Sequence, residues 1–371
     1  MARELKFEQP FDLGLSVTMG QAFRWYELPL DFYGDGDKWF SGVLGESLVH
    51  IRQTDASVEY RVGGPDGEWE ATLADDEMLR RYFREDDDVI AIYSDISRDS
   101  AIARLVEQYC GMRVLRQEPW ECTVAYICSA NNNIRQISSI VERVAAEFGN
   151  SVELNGDARC LFPPPERLAQ DDAESGLDSM NLGLRRAANT VSVARSVSSG
   201  ALDLYALRSE SYARATVEIR DCPGVGNKIA DCIALFSLDK LEAFPVDVHI
   251  GRALAEWADC PFPQDTGRLA DRQYARIGSW ARQHFGPFAG YAGQFMFCDR
   301  EQSGNVAASD ALSKKVEGTA GKLRTAPEHN ASRHPNRDFP CSKCGAAVGQ
   351  VCRYPSGYRY ERGHSERGPR R

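Results

Sequence analysis

The stretch "CPGVGNKIADCIALFSLDKLEAFPVDVH", residues 222–249, places two glycines between apolar-periodic runs, opens the second run with a lysine and ends on an aspartate ahead of another helical pattern. Gly224 and Gly226 allow a tight turn whose backbone amides point outward at the start of a helix beginning near Asn227. Such amides, aided by the positive helix end, can hold a phosphate. Ile229, Cys232, Ile233 and Phe236 recur at helical spacing and predict its buried face. Lys228 is the misfit. In the first turn its ammonium is opposed by the helix dipole and, where buried, by desolvation; both favour the neutral amine, which can attack carbon. Asp247 directly precedes "VHIGRALAEW" (248–257). Each residue also has an ordinary reading, a snorkelling lysine and a helix N-cap.

Outward from this stretch, the chain is long enough, at 371 residues, for two or three domains. Residues 1–95 alternate apolar and polar positions ("SLVHIRQ", "SVEYRV") between turn-rich breaks and predict a half-buried antiparallel sheet. Residues 96–300 turn to helical spacing, as in "NIRQISSIVERVAAEFG". The expected class is α+β, with an N-terminal antiparallel sheet domain followed by a mainly helical domain. Residues 301–337 read as a flexible linker, and residues 338–371 as a small Cys-containing module.

No apolar run approaches the roughly 20 residues of a membrane span, and the first residues carry no signal-peptide core. A cytoplasmic location is expected. Eleven cysteines then argue for buried thiols or metal ligands rather than disulfides. The net charge of −10 is uneven: residues 301–371 hold 13 Lys and Arg against 7 Asp and Glu, a net +6, which leaves −16 for residues 1–300. Much of that acid falls in 70–95 and 169–179, which read as solvated surface, so a separate binding face stays possible.

Helix, Pro-Gly-Val-Gly turn and helix form the helix-hairpin-helix pattern, which grips a DNA backbone without reading its sequence. Residues 222–249 strongly resemble the helix-hairpin-helix and Gly/Pro-rich loop of DNA glycosylases, most closely those of the 8-oxoguanine DNA glycosylase family, including the spacing of 19 residues from Lys228 to Asp247. "MGQAFRW" (19–25), "WFSGVL" (39–44), "VLRQEPWECTVAYICSANNNI" (114–134) and "FGPFAGYAG" (285–293) resemble further family segments in the same order. The resemblance covers roughly residues 5–300.

It implies a DNA glycosylase and AP lyase, monomeric and without a catalytic cofactor, that acts on damaged bases in duplex DNA after flipping the nucleotide out. Lys228 would attack C1′ and Asp247 would stabilise the positive charge on the sugar. Gly20 matches the glycine whose carbonyl senses 8-oxoguanine, and Cys232 and Phe297 match the two faces that enclose the base. Asn131 matches the residue that fills the vacated stack, and His249 a phosphate contact. Three places depart from the pattern. Gly293 stands at the base-edge glutamine position with Gln294, counted among the base-pocket residues, one place along, and Gln136 stands at an arginine position beside Arg135. Leu184 replaces the wedge tyrosine, with Arg185 or Arg186 to supply the guanidinium. A glycosylase for a different modified base and a catalytically silent damage-binding protein are the alternatives.

In the last segment, Cys341-X2-Cys344-X7-Cys352-X11-His364 has the donors and spacing for a structural Zn2+ site, and resembles small Cys-rich modules at the ends of some actinobacterial and phage proteins. Arg353, Tyr354, Tyr358, Arg359, Tyr360 and Arg362 interleave basic and aromatic groups suited to a nucleic acid.

Overall fold

The protein was analysed as a computed structural model, which describes residues 2–302 apart from 56, 66, 131, 181, 256 and 258–268. These residues fall within one compact unit, Met1–Ala307. The expected linker and Cys-rich module lie outside the described residues, except that 301 and 302 continue the helix running from 289.

Six antiparallel strands form the main sheet in the order β1 (Arg3–Leu5), β5 (Val58–Gly64), β4 (Ser47–Gln53), β3 (Phe40–Leu44) and β2 (Trp25–Glu27), with β6 (Gly67–Trp69) also paired to β5. Pairing Val49 with Val62 and Ile51 with Tyr60 puts one apolar row against helical residues Leu13, Val17, Leu79 and Phe83. The alternation in β4 predicts a wet opposite face, yet Leu48 and His50 on that face are fully buried. The cause is a second hairpin, β7 (Ser151–Leu154) with β8 (Asp157–Cys160), inserted within the helical region and packed back on the sheet. Val152, Leu154 and Leu161 pack with Val43 and Leu48, while Asp157 takes hydrogen bonds from Ser41 (2.6 Å) and His50 (3.0 Å).

The sheet-then-helix order therefore holds, but the sequence boundary at 95 does not separate the two. Residues 70–96 are also largely helical (Leu73–Tyr82 and Val89–Ile96). Their acidic run is not simply solvated. Asp75 is buried and closes a capping box with Thr72, Asp76 binds Arg3 and Tyr60, and Arg116 gathers Asp86, Asp87 and Asp239. In the second acidic run Asp171 and Asp172 are exposed, as expected.

At the centre of the helical part lies Pro119–Cys128, nine of whose ten residues are buried. Its start is set by Pro119 at the first position and by the Glu118 carboxylate, which accepts from the Glu121 amide at 2.6 Å. A helix apolar on all sides must be interior. It packs against Ile134–Phe148, Leu184–Ser198 and Asn227–Ser237, so three elements that carry candidate site residues share one rigid support.

Candidate active site

The hairpin forms as its residues require. Helix Tyr212–Arg220 ends at Asp221, and helix Asn227–Ser237 starts after Gly226. Gly224 has φ +83°, and a Cβ there would overlap the Asn189 side-chain amide, so a larger residue is excluded twice. Gly226 is the N-cap and offers no side chain to the first-turn amides; a Cβ there would meet nothing within 4 Å. The turn thus presents open backbone donors at a positive helix end.

Lys228, half-buried in that first turn, holds its Nζ 5.3 Å from the centroid of the Tyr126 ring. One turn on, the Cys232 thiol is 3% exposed. Burial pushes it up to about 11, with the Lys228 charge drawing it back and the Asp247 charge raising it. Tyr126 is raised well above the usual phenol range, first by burial and then by negative groups that include Cys232 and Asp247. Lys228, Tyr126, Cys232 and Asp247 therefore occupy one electrostatic neighbourhood. Asp247 is also an N-cap, its Oδ1 accepting from Ile250 N at 2.9 Å and its carbonyl from Gly251 N at 2.8 Å. The capping and catalytic readings are compatible, because the cap fixes the carboxylate in place.

A second group forms around Gly20, at φ +69°, where a Cβ would come within 2.8 Å of Phe297 Cε1. The Phe297 ring meets His249 edge-on at 5.7 Å, and His249 Nδ1 lies 3.8 Å from Glu301. Gln294 is buried, and its Nε2 donates to the Met19 carbonyl at 2.8 Å. Its amide is thus engaged with the backbone beside Gly20. Gly293 faces Phe244, where a Cβ would lie 3.1 Å from Cε2, so the ring takes the space a larger side chain would need. The two groups are joined by Tyr126, whose hydroxyl donates to the Gln21 carbonyl at 3.0 Å. Tyr126 was not singled out in the sequence. A phenol inside the otherwise apolar run "VAYIC" was the available signal, since a buried hydroxyl needs a partner.

The outer residues divide. Leu184, the first residue of helix Leu184–Ser198, is 69% exposed, and Arg185 beside it is exposed. Arg186 is half-buried and engaged with backbone: its Nε donates to the Leu182 carbonyl and its Nη1 to the Ala130 carbonyl, both at 2.6 Å. It ties the segment before Leu184 to the segment before Asn131, which itself lies outside the described residues. Arg135 is exposed, and Gln136 is committed to a capping box with Asn133. A separate cleft of about 540 Å³, lined by Trp25, Tyr82, Glu121 and Arg208 among others, does not include the Lys228 group.

Comparison with known proteins decides the family. Residues 5–123 match the model of the 8-oxoguanine DNA glycosylase N-terminal domain, and residues 124–270 match that of the HhH-GPD superfamily of base excision DNA repair proteins. The N-glycosylase/DNA lyase OGG1 of Arabidopsis thaliana is 30% identical over 292 residues, which is 77% of this chain and 76% of that protein. The chain belongs to the 8-oxoguanine DNA glycosylase family. Among solved structures, MBOgg1 in complex with a low-affinity DNA ligand superposes with a TM-score of 0.70 at 28% identity, covering 82% of this chain and 96% of that one. The apo form of the Clostridium acetobutylicum 8-oxoguanine glycosylase/lyase gives 0.69 at 26% identity, covering 80% and 98%. Among the described residues Cys122, Cys128, Cys222, Cys232 and Cys298 are buried free thiols, whereas Cys110 is exposed.

Proposed function

We propose that this chain is a DNA glycosylase and AP lyase that removes oxidised guanine from duplex DNA. The observation that carries the reading is the placement of Lys228 in the first turn of the helix that follows the Gly224–Gly226 turn, in one neighbourhood with Cys232, Tyr126 and Asp247. The open turn at Gly224 to Gly226 would take a backbone phosphate, Leu184 would enter the stack, and the flipped base would meet Cys232, Phe297 and the Gly20 carbonyl.

The glycosidic C1′–N bond breaks with its electron pair leaving on the base, which takes a proton. Asp247 stabilises the cationic sugar, and the neutral Lys228 amine forms a bond to C1′. Ring opening transfers a proton to O4′ and leaves a Schiff base. Loss of a C2′ proton then expels the 3′ phosphate, and water releases Lys228.

A modified base other than 8-oxoguanine is a second reading, favoured by Gly293 against Phe244 and by Gln294 bound to Met19. A silent damage-binding role is disfavoured by the presence of both Lys228 and Asp247. Borohydride trapping on a panel of lesion duplexes separates the three. An adduct with 8-oxoguanine that is lost in Lys228→Gln supports the first, preference for another lesion the second, and no adduct with any lesion the third.

The donor set Cys341, Cys344, Cys352 and His364 suits tetrahedral Zn2+, and we assign it a structural role that holds the neighbouring basic and aromatic residues for nucleic acid. One equivalent of zinc in the full chain, lost in Cys344→Ser, is expected. A cytoplasmic monomer completes the reading.

A further inference from the structure

Asp231 is a carboxylate in the middle of the apolar helix that carries Lys228, and it is 3% exposed. Its two oxygens are each met by a phenol, Oδ1 by Tyr212 and Oδ2 by Tyr274, both at 2.7 Å. Burial raises its carboxyl, and the two hydrogen bonds and the charges of Arg282 and Arg220 act in the opposite direction. Ionised, it is an acceptor only, so Tyr274 must spend its one proton on Asp231 and present lone pairs elsewhere. Those lone pairs accept from Val246 N at 3.2 Å. Val246 is 4% exposed and its peptide leads directly into Asp247.

We infer that Tyr274, oriented by Asp231, is a positioning residue that sets the Asp247 carboxylate against the Lys228 amine. The inference rests on the glycosylase/lyase reading above. Asp231 lies three residues after Lys228, on the same side of the helix. A continuous path therefore runs from the nucleophile's helix through Asp231 and Tyr274 to the peptide before Asp247. The cap to Ile250 and Gly251 holds the other side of Asp247, so the residue is pinned from both directions. Tyr212 serves as the internal contrast. It binds the other oxygen of Asp231 and takes a hydrogen bond from Arg282 at 3.1 Å, whereas the Val246 amide donates to Tyr274.

The test compares two first-order rates in the full chain: single-turnover excision from an 8-oxoguanine·cytosine duplex, which needs Asp247 and Lys228 together, and borohydride trapping on a preformed abasic site, which needs chiefly Lys228. In Tyr274→Phe, excision is expected to fall about 10- to 100-fold while trapping stays within about 3-fold, the signature of a misplaced group rather than a lost one. Tyr212→Phe, which loses a matching buried hydrogen bond, should keep the wild-type ratio of the two rates. With enzyme in saturating excess these first-order rates do not depend on the folded fraction, so partial unfolding does not mimic the result. Should Tyr274→Phe fail to fold, Asp231→Ala tests the same ratio, since the Tyr274 hydroxyl then has no carboxylate to orient it. A wild-type ratio in the tested variant, or an equal change in Tyr212→Phe, overturns the positioning role alone. Wild-type protein that traps neither substrate overturns this role and the glycosylase/lyase reading together.

Discussion

Phe297 lies directly against Gly20: a Cβ built on this glycine would sit 2.8 Å from Phe297 Cε1 and 3.0 Å from Ile134 Cδ1, on a backbone at φ +69°. The glycine is thus fixed by its conformation and by its neighbours at once. Gly20→Ala is expected to destabilise the fold by about 1–2 kcal/mol from the backbone alone, seen as a lower Tm. It should also push Phe297 away from the proposed pocket and reduce lesion excision more than binding to undamaged duplex. Unchanged excision would show that the carbonyl of residue 20 and the Phe297 ring do not act on the base.

Asp247 combines a cap with a proposed catalytic charge, and one substitution separates them. Asn caps as well as Asp, so Asp247→Asn should keep stability, measured by denaturant melting, within about 0.5 kcal/mol of wild type. Excision should nevertheless fall about 10²- to 10³-fold, because the charge that meets the cationic sugar is gone. A variant with wild-type excision would leave Asp247 as a cap alone.

Arg185 and Arg186 are neighbours in sequence with opposite expected phenotypes. Arg186→Ala removes a cation from the Leu182 and Ala130 carbonyls and should cost about 1–3 kcal/mol of stability by denaturant melting. Arg185→Ala touches an exposed side chain and should leave the melt unchanged while lowering the salt dependence of DNA binding by about one ion. Equal effects on both measurements would refute this division.

Asp157 ties the inserted hairpin to the sheet, and its contribution has a defined pH sign. Burial alone would raise its carboxyl, but hydrogen bonds from His50, Ser41 and Tyr26 outweigh burial and hold it below the ordinary range. A depressed folded value means stability that is fully present above the unfolded value of about 4 and is lost as pH falls through the folded one. Asp157→Asn should therefore melt well below wild type at pH 7, and the gap should close on acidification below about pH 4. A gap that widens with acid would contradict the assignment.

Much of the candidate site could be picked out because its signals are local. Gly224, Gly226, Lys228 and Asp247 are marked by turn residues, by a cation at a helix start and by a cap position, all within a span of 24 residues. Less legible were roles fixed by distant partners. Gln294 could be placed near the pocket, but only the fold reveals the Met19 carbonyl that occupies its amide. Arg186 looked like a free guanidinium because the two carbonyls it binds belong to irregular backbone. Tyr126 and Asp231 were visible as polar groups in apolar helices, yet their meaning depends on Gln21 and Tyr274, 105 and 43 residues away. The hairpin 151–160 was hidden by its brevity: four-residue strands carry little periodic signal inside a helical stretch.

That hairpin also governs how the chain can fold. His50 and Asp157 are 107 residues apart, so the second face of the sheet is covered only after a long loop has closed. During synthesis strands β1 to β6 emerge first with Leu48 and Val43 uncovered, and they stay so until residues 151–161 arrive. The sheet and the helical core should then unfold in one cooperative transition, and a chain released before residue 161 would carry an apolar sheet face with nothing to pack on it.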